Sequence, residues 1–127
     1  MGKRFAAAIN CMDGRVQEPI INYMKAHYKV DYVDMITEPG PNKILSDKKD
    51  NNILESIKKR VEISVKKHHS QVIAVVGHYD CAGNPASDNE QKAHLLSAIN
   101  YIKEWNMPVD TVIGLWVDGA FKVSSVD

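Results

Sequence analysis

Apolar residues recur along the chain with two periods, one typical of strands and one typical of helices. The clearest strand signal is residues 71–76, a continuous apolar run that ends at Gly77 and is typical of a central parallel strand buried on both faces. Similar but weaker patterns predict further strands at 3–10, 30–37 and 109–117, and a fifth at 120–126 that turns back at Asp118–Gly119.

Apolar positions three or four residues apart predict helices between these strands. The first covers residues 16–28, with Pro19 in its first turn, where the missing N–H costs little. The second has an apolar stripe over residues 53–68, and Asp50 or Asn51 can cap its start.

A third helix begins at a capping box formed by Ser87 and Glu90. Its apolar stripe is expected to bury four side chains: Leu95, Leu96, Ile99 and Ile102. Residues 38–42 contain two prolines and a glycine, so we expect this segment to be irregular.

The resulting order is strand, helix, strand, helix, strand, helix, strand, strand. Such alternation predicts an α/β fold with a mostly parallel four-stranded sheet, a C-terminal antiparallel strand and helices on both faces. We expect the four parallel strands in the order 2-1-3-4. A chain of 127 residues is the usual size of one domain, so residues 1–127 are interpreted as a single domain.

Charge and hydropathy restrict the partners of the protein. Lys and Arg number 16, as do Asp and Glu, so no basic excess favours nucleic acid. No apolar run approaches the roughly 20 residues needed to cross a bilayer, and the start lacks the longer apolar core of a signal peptide. These features predict a cytoplasmic protein that contacts neither nucleic acid nor membrane.

Metal-ligating side chains follow strands 1 and 3 of the predicted sheet. Cys11 comes directly after strand 1, and His78 and Cys81 come after strand 3. If these strands are neighbours, the three side chains meet at the carboxyl edge of the sheet, where α/β proteins bind ligands. Two thiolates and one imidazole suit Zn²⁺, and three protein ligands leave a fourth position open, as in catalytic zinc sites. We therefore expect one Zn²⁺ per chain.

Asp13 and Arg15 lie two and four residues beyond Cys11. A guanidinium can hold a nearby carboxylate in a bidentate ion pair and keep it off the metal. We interpret the two as a dyad in which Asp13 accepts a hydrogen bond from zinc-bound hydroxide and Arg15 positions Asp13.

The five residues together resemble the signature of the β-class carbonic anhydrases. The signature is Cys-x-Asp-x-Arg followed by His-x-x-Cys, here Cys11, Asp13 and Arg15 and then His78 and Cys81. The resemblance extends over residues 5–126. It implies a zinc lyase that hydrates carbon dioxide to bicarbonate, and a homodimer or a multiple of dimers.

The chain departs from the family pattern at Gly14, where Ser is usual, at Ala82, where Gly is usual, and at residues 38–40, where Asn-Ala-Gly is common. It also lacks the long N-terminal helices of the family. Two alternatives therefore stay open beside hydration of carbon dioxide. One is a related zinc hydrolase of carbonyl sulfide or carbon disulfide, and the other is a non-catalytic zinc-binding protein that has lost the substrate pocket.

Overall fold

A five-stranded sheet forms the centre of the computed structural model, which describes residues 2–126. The strands are β1 (Phe5–Cys11), β2 (Tyr32–Glu38), β3 (Val72–His78), β4 (Thr111–Val117) and β5 (Val123–Val126). Their order is β2-β1-β3-β4-β5; β5 pairs antiparallel with β4, and the other pairs are parallel. The predicted fold class and strand order are confirmed.

Helices cover both faces of the sheet, as predicted. They are α1 (Gln17–Tyr28), α2 (Pro41–Asp47), α3 (Asn51–Lys67) and α4 (Asp88–Lys103), and a 3₁₀ turn over Gly14–Val16 precedes α1. α1 packs on one face, around Ile20 and Met24. α2, α3 and α4 pack on the other, around Leu45, Ile57 and Leu95. Within the described residues, no helix combines the length and the apolar character needed to cross a membrane.

The predicted helix starts are confirmed by their caps. The Asp50 side chain accepts a hydrogen bond of 3.2 Å from the N–H of Ile53 at the start of α3. Ser87 and Glu90 form a capping box at the start of α4. These side chains satisfy backbone donors that the first helical turn leaves without a partner.

Helix α2 was not predicted, because its first residues lie in the segment that we expected to be irregular. Gly40 adopts a left-handed conformation with φ of 61°, and the helix begins at Pro41 directly after it. A proline at the first helical position loses no hydrogen bond, since that N–H has no partner within the helix. Pro41 therefore starts the helix instead of preventing it.

Two further expectations need correction. Leu96 was expected in the core, yet it is 40% exposed, because the buried stripe of α4 runs through Leu95, Ala98, Ile99 and Ile102. The fifth strand starts at Val123 instead of residue 120. The Asp118 carboxylate accepts hydrogen bonds from the N–H groups of Ala120 and Lys122, and these hold the intervening residues in a turn.

Candidate metal centre

Cys11, His78 and Cys81 meet at the carboxyl edge of the sheet. Cys11 is the last residue of β1 and His78 the last of β3, and these strands are parallel neighbours. The two sulfur atoms lie 3.9 Å apart, and the possible ligand atoms of all three residues lie within 4.8 Å of one another. All three side chains are buried. The strand order thus brings together three residues that the sequence pattern had singled out.

The imidazole of His78 has the orientation that a metal ligand requires. Its Nδ1 lies 2.8 Å from the carbonyl oxygen of Tyr79, so this nitrogen carries the hydrogen and donates it. Nε2 then presents its lone pair toward the two sulfur atoms. Among the described residues, Nε2 is the one buried side-chain nitrogen or oxygen without a hydrogen-bond partner. A metal ion at this position satisfies it, so the residues fit a zinc ion.

Electrostatics of the two thiols also favour a cation. Without a metal, the hydrogen bond from Cys81 lowers the pKa of Cys11, against the effect of burial, and raises the pKa of Cys81 itself. Backbone N–H groups of Gly40 and Asp13 further lower the pKa of Cys11, and those of Asn84 and Gly83 act in the same direction on Cys81. These N–H groups favour the thiolate form that binds zinc, whereas the Cys11 hydrogen bond and burial raise the net pKa of Cys81.

Burial lowers the pKa of His78, but its contacts with Cys11 and the Tyr79 carbonyl outweigh that effect and the net direction is upward. The negative charge that raises the pKa of His78 is the same charge that attracts a metal ion. Proton and metal therefore compete for this nitrogen.

Asp13 and Arg15 form the ion pair that their spacing predicts. Arg15 Nη2 lies 2.7 Å from Asp13 Oδ2, Arg15 Nε lies 3.1 Å from Oδ1, and the Arg15 backbone N–H donates to Oδ1 at 2.9 Å. These hydrogen bonds from the side chain and backbone of Arg15 lower the pKa of Asp13 to about 2. Asp13 is therefore an ionised acceptor at neutral pH.

Arg15 also reaches the loop that carries Cys81. Its Nη2 donates a hydrogen bond of 3.2 Å to the Asp80 carbonyl, and its Nη1 lies 3.5 Å from the Asp80 carboxylate. Asp80 has a positive φ of 57°, which turns that carbonyl toward Arg15. One side chain thus connects the loop after β1 with the loop after β3.

The loops after β2 and β3 touch backbone to backbone. A Cβ on Gly83 would lie 2.4 Å from the carbonyl carbon of Pro39, and one on Gly40 would lie 2.7 Å from that of Gly83. Both positions therefore require glycine. This approach brings the N–H of Gly40 to the metal centre, where it acts on the Cys11 sulfur.

Sequence reasoning missed three polar residues that support the site: Asn10 and Gln91, which are buried, and Gln17, which is half-buried. Gln17 donates hydrogen bonds to the carbonyls of Cys11 at 2.8 Å and Asp13 at 3.0 Å, and Asn10 donates to that of Val16 at 3.1 Å. Gln91 bonds the carbonyl of His78. Only the burial of Gln91 could have been detected in the sequence. Gln91 lies four positions before Leu95, so it falls on the buried stripe of α4.

The fold and site define the chain as an α/β protein with a buried Cys-His-Cys group beyond two parallel strands. A family model described as "Putative carbonic anhydrase" matches residues 1–127, that is, the entire chain. The protein therefore belongs to this carbonic anhydrase family.

Solved β-carbonic anhydrases share the fold. A carbonic anhydrase from Glaciozyma antarctica is 15% identical with a TM-score of 0.63, over 99% of this chain and 83% of that one. The β-carbonic anhydrase CcaA is 12% identical with a TM-score of 0.62, over 99% and 81% of the two chains. CafD of Aspergillus fumigatus is 13% identical with a TM-score of 0.58, over 98% and 88%. No curated protein gives a significant sequence match.

Proposed function

We propose that this protein is a zinc-dependent enzyme that hydrates carbon dioxide to bicarbonate. One observation carries the proposal: a buried group of Cys11, His78 and Cys81, with an imidazole nitrogen that lacks a partner, lies at the same sheet edge as the Asp13–Arg15 ion pair. Membership of the carbonic anhydrase family supports it. Cys11, His78 and Cys81 would hold one Zn²⁺, which when bound supplies a Lewis acid that makes water a nucleophile at neutral pH.

Asp13 orients the attacking water. Because its pKa is lowered to about 2, its carboxylate accepts hydrogen bonds and donates none at neutral pH. A water molecule beside it must therefore direct a hydrogen toward Asp13, which leaves a lone pair free for carbon dioxide. Arg15 occupies both carboxylate oxygens and so restricts rotation of Asp13 and its movement toward the metal.

We also propose that residues 1–127 act as a single domain in the cytoplasm and assemble as a homodimer or a multiple of dimers. All five strands lie in one sheet, which supports a single domain. Exposed apolar side chains flank the metal centre in sequence: Met12 is 64% exposed and Tyr79 is 54% exposed. Such apolar surface is typical of an interface. Light scattering of the purified protein tests the assembly, and a monomer at all concentrations contradicts it.

The experiment combines zinc content per chain with stopped-flow hydration of carbon dioxide on one sample. Asp13→Ala is the matched variant, since it leaves the three proposed ligands in place. We expect one zinc per chain in both proteins, and loss of most of the activity in Asp13→Ala. Zinc without hydration would contradict the proposed reaction, and sulfide release from carbonyl sulfide would then identify the alternative hydrolase. Absence of zinc from protein purified without chelator would contradict the metal site itself.

A further inference from the structure

Three amide side chains are buried directly behind the metal centre. Asn42 lies in α2, Asn84 in the loop after Cys81, and Gln91 in α4, and each is 1% exposed. Burying a polar amide costs free energy unless its hydrogen bonds are made, so three together require an explanation. Their partners show that they form one connected network.

The network has a fixed direction. The Lys43 backbone N–H donates to Asn42 Oδ1 at 3.0 Å, which identifies that atom as the oxygen and directs Asn42 Nδ2 toward Gln91. Asn42 Nδ2 lies 3.2 Å from Gln91 Oε1. Gln91 Nε2 is then the donor that remains, and it bonds the His78 carbonyl at 2.8 Å. The Lys43 N–H at one end and the His78 carbonyl at the other therefore determine which atom of each amide is oxygen and which is nitrogen.

A second arm reaches the loop that carries Cys81. Asn84 Nδ2 donates to Asn42 Oδ1 at 3.2 Å and lies 3.0 Å from Nδ1 of His94, which is half-buried on α4. Asn84 is therefore tied to α2 and α4 at once. Since Asn84 follows Cys81 by three residues, these bonds restrict the loop between them.

The amides of Asn42 and Gln91 also pack against Gly77, and this contact restricts their positions. A Cβ on Gly77 would lie 2.8 Å from Asn42 Nδ2 and 3.4 Å from Gln91 Oε1. Gly77 is part of β3, and its lack of a side chain leaves room for these amides directly before His78. The amides therefore press against the strand end that presents the imidazole.

We infer that Asn42, Asn84 and Gln91 are positioning residues of the metal centre, which hold the His78 backbone and the Cys81 loop in the geometry that binds a metal ion. The inference rests on the proposed zinc site but does not depend on catalysis. Hydrogen bonds behind metal ligands orient those ligands, and loss of such a bond typically weakens metal binding by about 10- to 100-fold. Here the contact is to the backbone of the ligand, so the whole residue is held.

The test compares Gln91→Met with Ser64→Ala in full-length protein loaded with Co²⁺. Gln91→Met keeps a side chain of similar length and loses the bonds to His78 and Asn42. Ser64→Ala is the matched control, because it also removes a buried hydrogen bond. That bond joins Ser64 Oγ and Ser70 Oγ, which are 2.7 Å apart. Ser70 precedes β3, whereas His78 ends it, so the control lies at the far end of the strand. The readings are the visible absorption bands of bound cobalt and the zinc dissociation constant.

We expect Gln91→Met to shift the cobalt bands and to raise the zinc dissociation constant about 10-fold or more. Ser64→Ala should reduce thermal stability and leave both readings as in the wild type. Wild-type bands and affinity in Gln91→Met would overturn the inference. If Gln91→Met does not fold, Asn42→Ala is judged by the same readings; failure of both to fold, with Ser64→Ala folded, indicates a purely structural role and also overturns it.

The outcome for the wild type separates this inference from the proposed function. Cobalt binding without hydration of carbon dioxide by the zinc form would contradict the proposed reaction and leave the positioning role intact. Failure of the wild type to bind cobalt or zinc would overturn both.

Discussion

Arg15 holds both carboxylate oxygens of Asp13, with Nη2 2.7 Å from Oδ2 and Nε 3.1 Å from Oδ1. The fork of the guanidinium matches the two oxygens, so the orientation of the carboxylate is set as well as its charge. The same Arg15 contacts the Asp80 carbonyl across the site. We therefore expect the shape of the Arg15 guanidinium, beyond its positive charge, to set the position of Asp13.

Arg15→Lys should lower kcat/KM for hydration of carbon dioxide about 100-fold, because a lysine ammonium keeps the charge but loses the fork and lets Asp13 move. Zinc content should not change, since Arg15 is not a ligand. Stopped-flow assays on zinc-loaded protein measure the effect. Arg4→Lys, an equally conservative change at an exposed position, is the control. Equal activity of both variants and the wild type would contradict the role of Arg15.

Gly83→Ala should reduce the free energy of unfolding by about 2–3 kcal/mol, the upper part of the range for overpacking. The added Cβ would lie 2.4 Å from the Pro39 carbonyl carbon, and two backbones cannot yield as a flexible side chain can. Gly14→Ala is the matched control, since no atom beyond its chain neighbours lies within 4 Å of its Cβ position. Urea denaturation measures both, and a Gly83→Ala protein as stable as Gly14→Ala would show that the loops do not touch.

Leu95→Ala should cost about 3 kcal/mol of stability, because Leu95 is fully buried between α4 and the sheet. Leu96→Ala should cost less than about 1 kcal/mol, since that side chain is 40% exposed. Urea denaturation of the two neighbouring variants tests the orientation of α4. Equal losses of stability would mean that α4 is rotated about its axis, so that Leu95 and Leu96 are buried to a similar extent.

Removal of zinc should lower the melting temperature, because a metal ion that binds only the folded chain stabilises it, by about 4 kcal/mol at a free concentration 1,000 times its dissociation constant. Protons compete with zinc for Cys11, His78 and Cys81, so affinity falls as the pH falls. The difference in melting temperature between zinc-loaded and chelator-treated protein should therefore be smaller at about pH 6 than at about pH 8. A difference that grows toward low pH would argue against thiolate ligands.

The fold was predictable because each strand carries its own local signal. The apolar run before Gly77 and the helical stripes determine an alternating order, and that order has few allowed topologies. β1 is the weakest case: three successive alanines are poor strand formers, and they form a strand because Ala6, Ala7 and Ala8 are fully buried between helices on both faces.

The supporting residues of the site were less predictable, because their partners are far away in sequence. Asn42 and Gln91 are separated by 49 positions, and neither belongs to a recognisable motif. Asn42 directly follows Pro39-Gly40-Pro41, and a polar residue beside such a segment is usually a loop residue in contact with solvent. The burial of Asn42 follows from the approach of Gly40 to Gly83, which occurs only once the loops after β2 and β3 have packed together.

Cys11 and Cys81 lie 70 positions apart in the chain and reach the same point only when β1 and β3 have paired. His78 and Cys81 alone are too few to hold zinc tightly, so the emerging polypeptide has no high-affinity metal site until most of it has been synthesised. In the proposed zinc form, metal uptake would therefore follow the pairing of β1 and β3. A bound ion would then link the ends of β1 and β3, and its release would precede separation of these two strands.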